Sequence, residues 1–222
     1  MGTADVTVLF LTTRGRPAAE QAWALVRQAF PDVLRVQLAR AEQPEAAVRT
    51  WEGDWLLSFL CPWVVPPALL QRARKGALNF HPGPPAYAGT GCTNFALYDG
   101  VSAYGVTCHH MAPAVDTGPI VAVRHVPIRP GETVASLTAR CELHLLALFD
   151  EALGWLRDDP PMPAAPRYMW GPARTRADLE ALARVTPAMN AEEVARRVRA
   201  LTYPGMPGAY VEVGGVRFEA RR

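Results

Sequence analysis

Apolar runs alternate with amphipathic segments through the first two thirds of the 222-residue chain. β-Branched apolar runs predict strands, and apolar residues spaced three or four apart predict helices. Alternating strands and helices at the start predict a parallel sheet covered by helices, with right-handed crossovers. The predicted strands are residues 6–11, 33–38, 55–60, 77–80, 104–111 and 120–128. The predicted helices are residues 18–30, 42–51, 67–74, 93–98 and 133–156.

The composition changes at Asp158, where a proline-rich stretch begins. Such a stretch is typical of a semi-rigid connector. We therefore expect a catalytic domain over residues 1–157, a linker over 158–174 and a small extension over 175–222. The extension contains two predicted helices, 176–184 and 191–200, and two strands, 210–213 and 216–220. Gly214-Gly215 between these strands is a strong hairpin signal, and the open hairpin edge is a candidate surface for a homodimer.

Composition and charge narrow the classes of partner. Half of the residues are hydrophobic, so a core can be buried, and the formal net charge is only +2. The chain has no lysine- or arginine-rich run of the kind that binds nucleic acid and no apolar run long enough to span a membrane. Its N-terminus lacks the pattern of a signal peptide, and its four cysteines show no paired spacing. We expect a reduced cytoplasmic protein with neither a nucleic acid nor a membrane partner.

Three polar residues carry the candidate chemistry. Asn79 and His81 lie two positions apart at the end of a predicted strand, so their side chains share one face. The Pro/Gly run after His81 ends the strand at the edge where open α/β sheets bind ligands. Asp116 lies in a second loop, just before Gly118-Pro119. An amide donor, a titratable base and a carboxylate together suit acyl transfer.

Less specific interpretations remain open for each residue. His81 alone could be structural, Asn79 a cap and Asp116 a turn residue. Cys108, His109 and His110 are consecutive, but no paired spacing completes a zinc site, so we expect no metal. The loop 12–16 contains one glycine instead of the GxGxxG motif, so the evidence for a dinucleotide-binding site is weak. The apolar loop 60–66 fits either the wall of an apolar ligand site or a loop buried under its neighbours.

The segment Asn79-Phe80-His81-Pro82, followed by Asp116 in Val115-Asp116-Thr117-Gly118-Pro119, resembles the folate-dependent formyltransferase family. The strand at 104–111 is also similar, and the resemblance extends over residues 6–156. It implies an α/β fold with a Rossmann-like, mostly parallel sheet, here with a small C-terminal helix plus β-hairpin extension. It implies 10-formyltetrahydrofolate as cosubstrate and Asn79, His81 and Asp116 as catalytic residues. The residues that it places around the pterin ring are Leu60, Cys61, Pro62, Trp63, Val64, Val65, Met111 and Val115.

The loop after His81 departs from the family pattern, because Tyr87-Ala88-Gly89-Thr90-Gly91 replaces its usual Arg-Gly. This departure leaves the amine acceptor open. The extension over residues 175–222 is similar to the C-terminal tails of sugar N-formyltransferases, which favours a nucleotide-linked amino sugar as the acceptor. A free amino acid, glycinamide ribonucleotide, aminoacyl-tRNA or water (a deformylase reaction) remain alternatives. The candidate acceptor contacts are Arg14, Tyr87, Thr90 and Asn94, and Arg14 and Arg16 could meet a phosphate.

Overall fold

A six-stranded sheet forms the centre of the molecule. The computed structural model describes residues 6–158 and 162–220. The strand order is β2-β1-β3-β4-β5-β6; β1 to β4 pair in parallel, and β5 and β6 are antiparallel to their neighbours. The strands are Val8–Thr13 (β1), Val33–Leu38 (β2), Gly53–Phe59 (β3), Ala73–His81 (β4), Ala103–His110 (β5) and Ile120–Pro127 (β6). The sheet is therefore mostly parallel and mixed at one side, which confirms the predicted α/β class.

Helices cover both faces of this sheet because the central strands are apolar on both sides. They are Pro17–Ala29 (α1), Ala46–Arg49 (α2), Pro67–Leu70 (α3), Cys92–Asp99 (α4) and Val134–Asp158 (α5). On one face, α1 and α5 bury a core that includes Phe10, Phe59, Phe80 and Phe149. The Phe149 ring packs edge-on against Phe59 and Phe80, with centroids 5.2 and 4.8 Å away. This aromatic packing fixes β4 against the core immediately before His81.

Two predicted helices are shorter in the structure. Residues 42–51 form a helix only over Ala46–Arg49, since Pro44 disfavours helix before it and Ala41 has a left-handed φ of 68°. Residues 67–74 form a helix only over Pro67–Leu70, and β4 begins at Ala73. Gly76 lies inside β4 with φ 144°, and a Cβ there would meet the Trp55 ring at 3.0 Å. The strand that carries Asn79 is therefore longer than predicted.

The C-terminal extension packs on α4. It contains Arg176–Ala183 (α6), Ala191–Leu201 (α7) and the hairpin strands Tyr210–Val213 (β7) and Val216–Glu219 (β8). Phe95 of α4 joins Leu182, Leu201 and Tyr210 in a separate apolar cluster. The hairpin strands pair antiparallel, as Gly214-Gly215 predicts. Within the predicted linker, residues 159–161 lie outside the described residues; the division into three parts stays a prediction.

In residues 6–158 and 162–220, no helix is both long and apolar enough to cross a bilayer.

Candidate active site

Strands β4 and β5 bring an amide and two imidazoles to one edge of the sheet. Asn79 and His81 end β4, and both line a single cavity. His109 of β5 pairs directly with Asn79 across the antiparallel ladder. Asn79 Nδ2 donates to His109 Nε2 over 3.0 Å, and His109 Nδ1 donates to the His110 carbonyl over 2.8 Å. Because Nδ1 is the donor, Nε2 is the acceptor for Asn79 Nδ2, which fixes the orientation of the Asn79 amide.

His81 is buried between a carbonyl and a carboxylate. Its Nε2 lies 3.2 Å from the Tyr87 carbonyl oxygen, and its Nδ1 lies 3.4 Å from Asp116 Oδ2. Burial lowers the pKa of His81 and outweighs the opposing effects of Asp116 and the Tyr87 carbonyl. The ring is therefore neutral near pH 7 and can accept a proton at Nδ1, next to a carboxylate that stabilises the resulting cation.

Asp116 has an uncommon backbone conformation, and its carboxylate accepts a hydrogen bond from a loop N–H. Its φ is 51°, in the left-handed region that few side chains adopt. The Gly89 N–H donates to Oδ2 over 2.8 Å, and His109 Nε2 lies 3.5 Å from Oδ1. Burial alone would raise the pKa of this carboxyl, but His109, His81 and the Gly89 N–H together lower it to about 2. Asp116 is thus ionised at any physiological pH.

The position of His109 was missed by the sequence reasoning, which weighed this residue only as a metal ligand. The useful signal was the predicted strand at 104–111 itself. If that strand pairs antiparallel with β4, one histidine of His109-His110 must face Asn79 or its neighbour. The direction of β5 could not be read from the sequence, so the pairing was not predicted.

The cavity beside these residues has a volume of about 570 Å³, a size typical of small-molecule and cofactor sites. We call it the catalytic cavity. Its walls include all eight residues that the family resemblance places around a pterin: Leu60, Cys61, Pro62, Trp63, Val64, Val65, Met111 and Val115. Trp63 and Val65 also pack into the apolar cluster under the loop. Val64 and Val115 are 64% and 50% exposed, so apolar surface faces the open cavity from both walls.

The four candidate acceptor residues are not brought together. Thr90 lines the catalytic cavity. Arg14 instead bonds Glu42 and the Gln37 carbonyl, because it points away along the first loop. The Tyr87 hydroxyl donates to Asp99 over 3.0 Å. Burial, and to a lesser extent this hydrogen bond, raise the pKa of Tyr87 to about 12. Asn94 donates to the Ala200 carbonyl and lines a second cleft.

The segment 165–176, which we call the strap, crosses the catalytic loops. The Arg174 N–H donates to the Ala88 carbonyl, and the Arg174 carbonyl accepts from Thr90 N–H. The Trp170 indole donates to the Gly118 carbonyl over 2.8 Å, and its ring lies edge-on to His109 with centroids 4.8 Å apart. This part of the predicted linker therefore forms one side of the site, a role that its composition did not indicate.

Among the residues that the structure describes, no group of three or more His, Cys, Asp or Glu side chains could hold a metal ion. Cys108 lies in the apolar core, where burial raises its pKa.

Comparisons with known proteins agree on one family. The family model described as formyl transferase matches residues 12–150. A methionyl-tRNA formyltransferase of Rhodopirellula baltica is 37% identical over 122 residues, which are 54% of this chain and 36% of that protein. A GDP-perosamine N-formyltransferase of Brucella melitensis is 26% identical over 167 residues, 74% of this chain and 63% of that protein. The chain thus spans less than two thirds of the length of these relatives.

Solved structures show the same fold. A Mycobacterium tuberculosis protein described as a sugar N-formyltransferase has a TM-score of 0.80 and 26% identity, with 98% of this chain and 97% of that one covered. A sugar N-formyltransferase from Shewanella has a TM-score of 0.80 and 19% identity, with 97% of both chains covered. HypX from Aquifex aeolicus, solved with tetrahydrofolic acid, has a TM-score of 0.64 and 22% identity, with 96% of this chain and 37% of that one covered.

Proposed function

The chain belongs to the formyl transferase family, and we propose that it moves a formyl group from 10-formyltetrahydrofolate to a primary amine of a small molecule. The meeting of Asn79, His81 and Asp116 at the catalytic cavity is the observation on which the proposal depends. The cavity's size and its apolar walls at Val64 and Val115 fit the flat ring of a folate. A likeness to a HypX structure that holds tetrahydrofolic acid supports the same ligand class.

Asn79, His81 and Asp116 have different roles in the proposed acyl transfer. The Asn79 N–H that is not bonded to His109 is placed to donate to the formyl oxygen as it gains negative charge. His81, neutral and next to Asp116, takes the proton that the amine loses when its nitrogen bonds to the formyl carbon. The bond between that carbon and folate nitrogen then breaks, and the same proton passes to this nitrogen. Asp116 stays ionised and stabilises the charged His81.

A nucleotide-linked amino sugar is the acceptor that we propose. The relative in Brucella melitensis is a GDP-perosamine N-formyltransferase and aligns with 74% of this chain. The Mycobacterium tuberculosis structure covers nearly all of the chain, including the extension after α5. Aminoacyl-tRNA has less support, because a methionyl-tRNA formyltransferase structure from Clostridium thermocellum has a TM-score of 0.69, against 0.80 for the two sugar N-formyltransferase structures.

The test is a direct assay of transfer. The purified chain is incubated with 10-formyltetrahydrofolate and a panel of nucleotide-linked amino sugars, free amino acids and glycinamide ribonucleotide, and products are identified by the mass added on formylation. We expect one amino sugar to be formylated. The variants Asn79→Ala, His81→Ala and Asp116→Ala should each lower kcat by about 10² to 10⁴. Formate release without any amine would instead indicate a deformylase, and wild-type transfer by His81→Ala would refute the proposed mechanism.

A further inference from the structure

Two further clefts continue from the catalytic cavity toward the C-terminal extension. The first, which we call the arginine cleft, has a volume of about 570 Å³ and shares Leu60, Pro82 and Thr90 with the catalytic cavity. The second, the tail cleft, has a volume of about 460 Å³ and shares Thr93 and Thr138 with the arginine cleft. The three spaces therefore follow one another, and Arg176 lines all three.

Three arginines from separate parts of the chain line the arginine cleft. Arg16 precedes α1, Arg40 follows β2 and Arg176 begins α6. Arg16 forms an ion pair with Glu142. Within residues 6–158 and 162–220, the guanidinium groups of Arg40 and Arg176 have neither a carboxylate partner nor a side-chain hydrogen bond. Two cationic groups thus face the same space without compensation, which favours an anionic ligand.

A helix terminus adds to this positive potential. Thr93, in the first turn of α4, lines the arginine cleft and the tail cleft, and Gly91, Cys92 and Asn94 line the tail cleft. The N-cap Gly91 supplies no side-chain acceptor for the first N–H groups of α4. Backbone N–H groups at a helix N-terminus bind phosphate oxygens well, and here they act beside the arginines.

The tail cleft shares Arg16, Arg40 and Arg176 with the arginine cleft and is also lined by Arg217. Its other walls are largely apolar, with Leu179, Leu201, Tyr203 and Met206 among them, and Met206 is 51% exposed. Its carboxylate, Glu180, accepts from the Tyr210 hydroxyl over 2.7 Å and lies 3.6 Å from Arg217. Apolar and aromatic walls with a few polar groups suit the ring system of a nucleoside.

We propose that the arginine cleft binds the diphosphate of a nucleoside-diphosphate-linked acceptor, with the nucleoside in the tail cleft and the amine at Asn79 and His81. This inference rests on the proposed function and deepens it. The order of the spaces matches the order of amine-bearing sugar, diphosphate and nucleoside in such a molecule. The glutamate tail of folate is also anionic, but it carries no ring system to occupy the tail cleft.

Binding experiments test the assignment without requiring turnover. Titration calorimetry with dTDP, UDP, GDP and inorganic pyrophosphate is carried out on the wild-type chain and on Arg40→Met and Arg176→Met, which remove charge while keeping much of the side-chain volume. Arg27→Met is the matched control, since Arg27 lies in the last turn of α1, at the far end of that helix from Arg16, and contacts Trp23. Tetrahydrofolate with one and with five glutamates is titrated in parallel.

We expect at least one nucleoside diphosphate to bind, and each of the two variants to weaken it by about tenfold or more, as for the loss of one charge-assisted hydrogen bond. Arg27→Met should bind like the wild type, and both folates should be unaffected. The inference is wrong if no diphosphate binds, if the three variants bind alike, or if the cleft variants weaken only pentaglutamyl folate.

The two proposals fail in different ways. Diphosphate binding that depends on Arg40 and Arg176, in a chain that never transfers formyl groups, would refute the proposed function and leave the subsite standing. Efficient formylation of an uncharged amine, without diphosphate binding, would refute the subsite and leave formyl transfer standing.

Discussion

Asp116 combines a costly backbone conformation with an ionised, buried carboxylate. A non-glycine residue at φ 51° persists only where its surroundings hold it, and here the Gly89 N–H bonds the buried carboxylate. The same contacts that place the carboxylate also lower its pKa to about 2. The stability of the protein should therefore depend on the titration of this one group.

The first prediction concerns stability against pH. The pKa of Asp116 lies below its ordinary value of 3.8, so its contribution, roughly 2 kcal/mol, is present above about pH 4 and lost as the pH falls toward 2. Urea unfolding of the wild type and of Asp116→Asn is measured from pH 6 to the lowest pH at which both are folded. The difference between their free energies of unfolding should shrink at low pH. A constant difference would show that Asp116 does not titrate as proposed.

His109 acts through the Asn79 amide, and the second prediction tests this. His109→Ala removes the acceptor for Asn79 Nδ2, so the amide can rotate away from the cavity. We expect kcat to fall by about 10- to 100-fold, with the KM for 10-formyltetrahydrofolate changed little. His109→Gln offers an oxygen to the same amide and should recover part of kcat. Equal kcat values for wild type, alanine and glutamine variants would rule out this positioning role.

At the scale of elements, regular patterns were predictable and local breaks were not. The bounds of β2 and β7 were predicted exactly as observed, because apolar alternation and the Gly214-Gly215 turn define them. The helix at 42–51 was overextended, since the prediction followed helical periodicity and did not apply the helix-breaking effect of Pro44. The Asn79–His81 pair follows from the two-residue period of a strand. The direction of β5, and with it His109, depends on tertiary pairing that no local pattern records.

The strap shows the same limit, because its proline-rich sequence predicts only a connector. In the structure Trp170 bonds the loop that carries Asp116 and packs beside His109. The prediction of a phosphate contact in the loop 12–16 named Arg14 and Arg16. Arg14 pairs with Glu42, whereas Arg16 lines the arginine cleft and pairs with Glu142. Arg40 and Arg176 reach the same cleft from distant parts of the sequence. Sites assembled from separate segments require the fold before they can be recognised.

The third prediction concerns Trp170. Trp170→Ala removes both the hydrogen bond to Gly118 and the ring beside His109, so kcat should fall by about tenfold or more. Trp170→Phe keeps an aromatic ring and loses the N–H, so its kcat should lie between the kcat of the wild type and that of Trp170→Ala. Met169→Ala is the control, because the neighbouring Met169 side chain is 84% exposed. If the two alanine variants have the same kcat, the strap does not position the catalytic loop.

At the scale of the whole molecule, the C-terminal extension packs on α4, and the strap approaches the catalytic loops closely at Gly89. Gly89 pairs with Arg174 of the strap and donates its N–H to Asp116. A Cβ on Gly89 would lie 2.3 Å from the Arg174 carbonyl oxygen. Gly89 therefore links the strap to the catalytic carboxylate, and activity should be sensitive to its contact with Arg174.

A pair of glycine variants separates this contact from backbone strain. Gly89 and Gly100 have φ values of 81° and 70°, but nothing lies within 4 Å of a Cβ on Gly100. Alanine at either position should cost about 1–2 kcal/mol of stability from the left-handed conformation. Only Gly89→Ala should push Arg174 away, shift the N–H from Asp116 and lower kcat by tenfold or more. Unfolding and kinetics are measured on both variants. Equal kcat values would mean that the contact between Gly89 and Arg174 does not control the position of Asp116. The strap would then be a structural connector beside an independent active site.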